Sequence, residues 1–356
     1  MIKTPLKTVL GGLLALGALA AALPAHAGKT LDTIKQRGQL VCGVNPSLPG
    51  FSAADSQGNW AGLDVDICKA LAASVLSDAT KIKWVPLNAA QRFAALQAGE
   101  IDILSRNTTW TLTRDASLGM HFTGTTYYDG QGFMVPKAKV DPKTKKVTGA
   151  NITSAKQLKG ATVCVQSGTT TEKNLSDYSK ALGLNMKSVV FETQEATNKA
   201  YFAGRCQAYT TDASGLASVR NKEANNPDDH VILPELISKE PLGPSVRRGD
   251  DEFFAIAKWV VFALIEAEEY GITQANVDDL KANSKDPVVQ RILGTSEDTG
   301  KLLGLDKDWA YRAIKATGNY GEIFERNVGP KSALKLPRGA NNLWNKGGFM
   351  YAPPVR

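Results

Sequence analysis

Histidine is nearly missing from this chain, with three in 356 residues. His26 falls in the N-terminal leader, and His121 and His230 sit among ordinary loop residues. The commonest general base and metal ligand is therefore scarce. No Cys-x-x-Cys spacing and no nearby pair of histidines offers a zinc site, and no nucleophile motif is found. Like charges never gather in a block. The formal charge is +7, part of it from two leader lysines, so neither nucleic acid nor an anionic membrane is implied as a partner. Beyond the leader, Phe253 to Tyr270 is the long apolar stretch. It is too short to span a membrane and carries Lys258 and late glutamates, so it reads as a buried helix ended by Gly271.

What is present starts with the leader. Lys3 and Lys7 precede an apolar run from Val9 to Leu23, and Pro24-Ala25-His26-Ala27 supplies an Ala-x-Ala site. Residues 1–27 read as a signal peptide cleaved before Gly28, with no cysteine following to carry a lipid, and a soluble periplasmic protein is expected. The remainder is long enough for two compact lobes. Its four cysteines enter an oxidising compartment, so two disulfides are expected. Three pairings are open. Assignment by lobe favours Cys42 with Cys68 and Cys164 with Cys206, because the first two belong to an opening strand and the helix after it and the others to the middle segment.

The pattern alternates strand and helix: a strand over 39–44, a helix over 64–77, a strand over 82–86, a helix over 89–97 closed by Gly99, and a strand over 101–104. This is the rhythm of a parallel, doubly wound α/β sheet. It restarts after a basic, turn-rich stretch over 137–149, with a short helix over 154–160 and an apolar strand over 161–165. The last fifty or so residues, rich in aromatics and glycine, read as a structural wrap on the first lobe.

In Gly62-Leu63-Asp64-Val65-Asp66-Ile67 an acidic doublet opens a helix after a glycine turn. Asp64 is placed to cap that helix and Asp66 to sit in its positive first turn, while Ile67, Ala70, Leu71 and Val75 form one buried stripe. Further on, Asp102 to Arg114 runs from a strand into a hydroxyl-rich loop closed by an arginine, equipment for a carboxylate. Val165-Gln166-Ser167-Gly168-Thr169-Thr170-Thr171-Glu172 reads as strand, glycine turn and helix N-terminus, with free amides suited to an anion. Gly204 to Asp212 suggests a strand ending in a carboxylate, which on its own is more often a turn or helix cap.

These four blocks, in this order, resemble the solute-binding proteins of polar amino-acid ABC transporters, family 3. Over nearly the whole mature length the chain is similar to the general L-amino-acid or glutamate, glutamine, aspartate and asparagine branch. The resemblance implies a two-lobed periplasmic binding protein fold (type II) with two hinge-crossing segments. Residues 28–135 and 242–356 are expected in lobe 1 and 136–241 in lobe 2, with the ligand between them. It further implies that Arg114 holds the ligand's α-carboxylate with Asn107 and Thr109 beside it. Thr170, next to Thr169, contacts the carboxylate from the other lobe, and Asp212 takes the α-ammonium.

At the position where basic-ligand members carry an acid and acidic-ligand members an arginine, this chain has Asn45, which selects no charge. Asn88 to Phe93 resembles the segment through which dicarboxylate-binding members supply an arginine. Arg92, with Arg106, would then favour acidic side chains and their amides; a surface pairing of Arg92 with Glu100 or Asp102 stays open. The partners implied are an L-amino acid and a membrane permease, with no cofactor, no metal and a monomeric state. Two other classes compete with this reading. A dehydratase-like enzyme on this fold needs a tuned acid or base, for which Glu172 is the best candidate, though capping explains it more simply. A sensor domain needs a signalling domain or second membrane span, and the sequence shows neither.

Overall fold

The computed structural model describes residues 30–140, 143–145 and 147–356. The leader lies outside the described residues. Two five-stranded sheets have the same order. In the first, Ile82–Pro86, Leu40–Val44 and Ile103–Leu104 run parallel, and Ser245–Arg247 lies antiparallel between Ile103–Leu104 and Met120–Phe122. In the second, Lys187–Phe191, Thr162–Gln166 and Ala208–Asp212 run parallel, followed by antiparallel Gln131–Pro136 and then His230–Ile232.

The antiparallel member of each sheet is the strand that has just crossed between lobes. Tyr127–Asp129 leads into Gln131–Pro136, and Glu240–Leu242 leads back toward Ser245–Arg247. The two crossing strands pair with each other, Asp129 opposite Glu240 and Tyr127 opposite Leu242. The chain thus changes lobe near residue 130, earlier than the expected boundary at 135. Gln131–Pro136 is a buried apolar run continuous with the strand before it, and the compositional break at 137 marks only its end.

Both disulfides join residues within one lobe: Cys42 to Cys68, with Cα atoms 6.5 Å apart, and Cys164 to Cys206, 5.6 Å apart. The helix Leu63–Leu76 packs behind the first sheet, as does Asp251–Glu269, which Asp250 caps through the Phe253 N–H at 2.9 Å. Trp309, Tyr320 and Phe324 are fully buried in that same core, so the C-terminal region is part of the first lobe's interior. Asp66 anchors it. Its carboxylate accepts from Arg326 Nη2 at 2.7 Å and Nε at 3.0 Å, and from Asn327 Nδ2 at 2.6 Å. Asn341 then grips a crossing strand by both backbone groups of Tyr128, accepting its N–H at 2.6 Å and donating to its carbonyl at 3.1 Å.

Removing one partner of a buried carboxylate leaves the other short of donors. Arg326→Ala is therefore expected to lower the unfolding free energy by about 1–3 kcal/mol in a urea titration, while ligand affinity, set by cleft residues that Arg326 does not line, changes less.

Candidate functional site

The carboxyl ends of the parallel strands in both sheets face one cleft, the position where open α/β sheets place ligands. Gly62 starts the signature helix at φ 136°, and a Cβ there would lie 2.1 Å from the Phe51 carbonyl oxygen, so only glycine fits. Asp64 lies inside the helix and does not cap it, contrary to expectation. Its buried Oδ2 accepts the Asn107 N–H at 2.7 Å, and its carbonyl accepts the Ser105 hydroxyl at 2.9 Å. Asn107 needs this hold, because its φ of 32° is a conformation non-glycine residues rarely adopt. Burial pushes the Asp64 carboxyl up to about 7, opposed by the Asn107 N–H and the charge of Arg106.

Three guanidinium groups are buried here. Arg106 donates through Nε to the Leu87 carbonyl at 2.8 Å and is pushed down to about 10, chiefly by burial. Arg114, in a single π-helical turn over Thr113–Ser117, donates through Nη1 to the Thr109 carbonyl at 2.8 Å. Arg92 is 3% exposed, and its Nε has no hydrogen-bond partner. Phe93 offers its ring to both Arg92, at 4.6 Å, and Arg114, at 5.2 Å. The surface pairing left open for Arg92 does not form: Arg37 and the Val41 N–H occupy Asp102, and Glu100 is exposed. Burial, with the charges of Arg106 and Arg114 adding to it, pushes Arg92 well below the usual guanidinium range. Since a guanidinium does not give up its proton in a protein, the shift expresses unmet demand for a counter-charge.

The second lobe brings its own groups to the same place. Thr169 caps the helix Thr170–Ala181 by accepting the Glu172 N–H at 3.1 Å, and Glu172 Oε2 accepts the Gly168 N–H at 3.0 Å, so Glu172 serves the turn. Gly168, at φ +71°, abuts the first lobe; a Cβ there would stand 3.4 Å from Ala90 Cα. Asp212 occupies the cap position of Ala213–Glu223, yet makes no side-chain bond to that helix. Its buried carboxyl is pushed well up by burial first and then by Asp129 and Glu240, with Asn107 and Arg114 opposing. Asp129, accepting the Gly130 N–H at 2.8 Å and the Ser214 hydroxyl, is pushed up to about 6 by burial.

The lobes meet through side chains. Asn45 Nδ2 donates to Asn107 Oδ1 at 3.2 Å and across the cleft to Gln194 Oε1 at 3.0 Å. Thr109 Oγ1 and Thr170 Oγ1 lie 3.3 Å apart. Between them is a narrow cavity of about 30 Å³, lined from both lobes. Asn45, Arg92, Asn107, Thr109, Thr169, Thr170 and Asp212 all line it, joined by Arg106. Arg114 stands behind Thr109 and opens on an adjoining recess shared with Phe93, Thr169 and Thr170. Gln194, Asp129 and Glu240 were not foreseen. Gln194 carries no pattern beyond a helix start. The two acids lie on the crossing strands, whose pairing only the folded chain reveals. The chemistry is that of a receptor for a small molecule bearing both charges: the buried cations Arg92 and Arg106 and the buried acid Asp212 face one space.

A model of the bacterial extracellular solute-binding proteins, family 3, matches residues 40–276. The chain is 58% identical over 346 residues to the general L-amino acid-binding periplasmic protein AapJ of Rhizobium johnstonii, covering 96% of this chain and 98% of the relative. It is 50% identical over 350 residues to the glutamate/glutamine/aspartate/asparagine-binding protein BztA of Rhodobacter capsulatus, covering 98% and 99%. Among solved structures, an ABC transporter/periplasmic binding protein from Brucella ovis with glutathione bound superposes with a TM-score of 0.86 at 54% identity, covering 92% of this chain and 99% of that one. With the two matching sheets, the paired crossing strands and the cleft between them, these likenesses establish that the chain belongs to the family 3 bacterial extracellular solute-binding proteins.

Proposed function

We propose that this protein binds polar and acidic L-amino acids and their amides in the interlobe cleft, in the periplasm and as a monomer, and delivers them to the permease of an ABC importer. The observation that carries the side-chain preference is Arg92, a buried guanidinium whose Nε has no partner, aimed at the space where a ligand side chain lies. Arg114 and the first-turn amides at Thr170 hold the α-carboxylate; Asp212 holds the α-ammonium. Arg92 and Arg106 meet the oxygen of an acid or amide side chain. Asn45, neutral and already bonded to Gln194, admits a range of side chains without selecting their charge.

The ligands named for AapJ and BztA support this reading. So does the glutathione in the Brucella structure, because its glutamyl end is an α-amino acid whose side chain ends in an amide. Ligand binding shifts an equilibrium between open and closed lobes, and the closed form is the one a permease reads.

Truncating one partner of a buried charge pair costs about 2–5 kcal/mol, or roughly 30-fold to several thousand-fold in affinity. Arg114→Ala and Asp212→Ala should show losses of that size for L-glutamate by calorimetry, on protein unfolded and refolded to strip carried-over ligand. Full affinity in a folded variant would reject the assignment. Arg92→Met is expected to weaken L-glutamate at least about tenfold more than L-alanine, since the lost charge-assisted bond is one that alanine never makes. Equal losses would mean that Arg92 does not select side chains.

The pH dependence follows from the raised carboxyls. With the lobes together, Asp212 sits well above its ordinary range and Asp129, whose charge adds to that rise, at about 6, so at mildly acid pH the closed site holds protons that an ammonium set against Asp212 displaces. Binding should release protons, and affinity should fall as the pH drops through about 6. Calorimetry in two buffers of different ionisation enthalpy counts the protons; no release at pH 6 would contradict the account.

A further inference from the structure

Glu240 lies on the second crossing strand and is 1% exposed. Four side-chain donors surround its two oxygens. Oε2 accepts from Thr109 Oγ1 at 2.6 Å and from Thr170 Oγ1 at 2.9 Å. Oε1 accepts from Ser238 Oγ at 2.6 Å and from Asn174 Nδ2 at 2.8 Å. Four donors fill the four lone-pair sites of an acceptor-only carboxylate. Thr109 comes from one lobe and Thr170 and Asn174 from the other, so this arrangement exists only with the lobes together.

A hydroxyl has one proton to give. If Thr109 and Thr170 both spend theirs on Glu240, neither has a proton left for the ligand. The 3.3 Å contact between their oxygens then contains no proton, and two sets of lone pairs face each other and the ligand space. Such a place repels a carboxylate and accepts a cation carrying hydrogens. Asp212 lines the same space.

We propose that Glu240 is a positioning residue that fixes the polarity of the cleft: it draws the Thr109 and Thr170 hydroxyl protons to itself and so dedicates both oxygens to the ligand's ammonium group. This rests on the amino-acid reading above and refines it. The Thr170 hydroxyl serves the ammonium while its backbone N–H remains for the carboxylate. A glutamine at this position offers an amide donor to one threonine, turns that hydroxyl's proton into the cleft and undoes the discrimination.

The test compares L-glutamate with glutarate, which has the same two carboxylates and no ammonium, by calorimetry on the refolded full-length protein. Wild type should prefer L-glutamate, and Glu240→Gln should shrink the ratio of the two affinities at least about tenfold, the worth of a hydrogen bond to a charged group. A merely structural role would weaken both ligands alike and leave the ratio unchanged, which overturns the proposal. Should Glu240→Gln fail to fold, Thr170→Val carries the test: it removes one cleft oxygen, together with one of the four donors to Glu240, while keeping the carboxylate, and should weaken L-glutamate more than glutarate. Equal losses overturn the proposal. Normal L-glutamate binding by wild type with an unchanged ratio in the variants overturns this inference alone; wild type that binds no amino acid overturns the amino-acid reading and this inference with it.

Discussion

Everything at the cleft follows from the difficulty of keeping charge away from water. Arg92, Arg106 and Arg114 face Asp64, Asp129, Asp212 and Glu240 in a region where each is largely or wholly shielded from solvent. Taking such ions out of water costs several kcal/mol apiece unless partners replace the lost hydration. Some of these groups are answered within the protein: Asp64 by the Asn107 amide, Glu240 by four donors, Arg106 in part by Asp64. Arg92 keeps an Nε without a partner and Asp212 is only partly offset by Asn107 and Arg114, and they are the two that a molecule with an ammonium at one end and an acidic side chain at the other would satisfy. On the proposed function, closure and recognition are one event, because a ligand carrying both charges would complete these groups as the lobes shut over it.

The fold was legible in the sequence wherever periodicity and punctuation agree. The strand over 82–86 has the bounds expected, and the apolar stretch ended by Gly271 is the buried helix Asp251–Glu269. What failed were readings that depend on where a side chain turns. Asp64 satisfies every local condition for a helix cap, yet the cap falls two residues earlier, on Gly62, and the carboxylate is released to hold a loop more than forty residues away. Residues 131–136 read as the end of one lobe because the polar, basic stretch beyond them is conspicuous. Hydrogen bonding assigns them to the other.

The site divides in the same way. Arg114, Thr170 and Asp212 stand in motifs whose spacing is carried by adjacent residues, so a resemblance finds them. For Arg92 the sequence allows both a surface role and a ligand role, and only burial beside Phe93, with Asp102 already engaged by Arg37, separates the two. Glu240 has no local signature at all. Apart from its near neighbour Ser238, its donors come from two distant parts of the chain, Thr109 and the helix that carries Thr170 and Asn174. Groups that act by orienting others are found through the contacts that folding creates, and composition or motif has little to say about them.

Each lobe ties its first parallel strand by a disulfide to an element of the same lobe, Cys42 to the helix Leu63–Leu76 and Cys164 to Cys206 just ahead of Ala208–Asp212. Neither bridge spans the cleft, and no cysteine is left over. Covalent stiffening is thus confined to the two bodies, and their relative motion is left to the crossing strands. If ligand closes the lobes as proposed, a dye on each would report occupancy as a change in separation. With all four thiols already oxidised, a new cysteine on either lobe offers a single labelling position for building such a reporter.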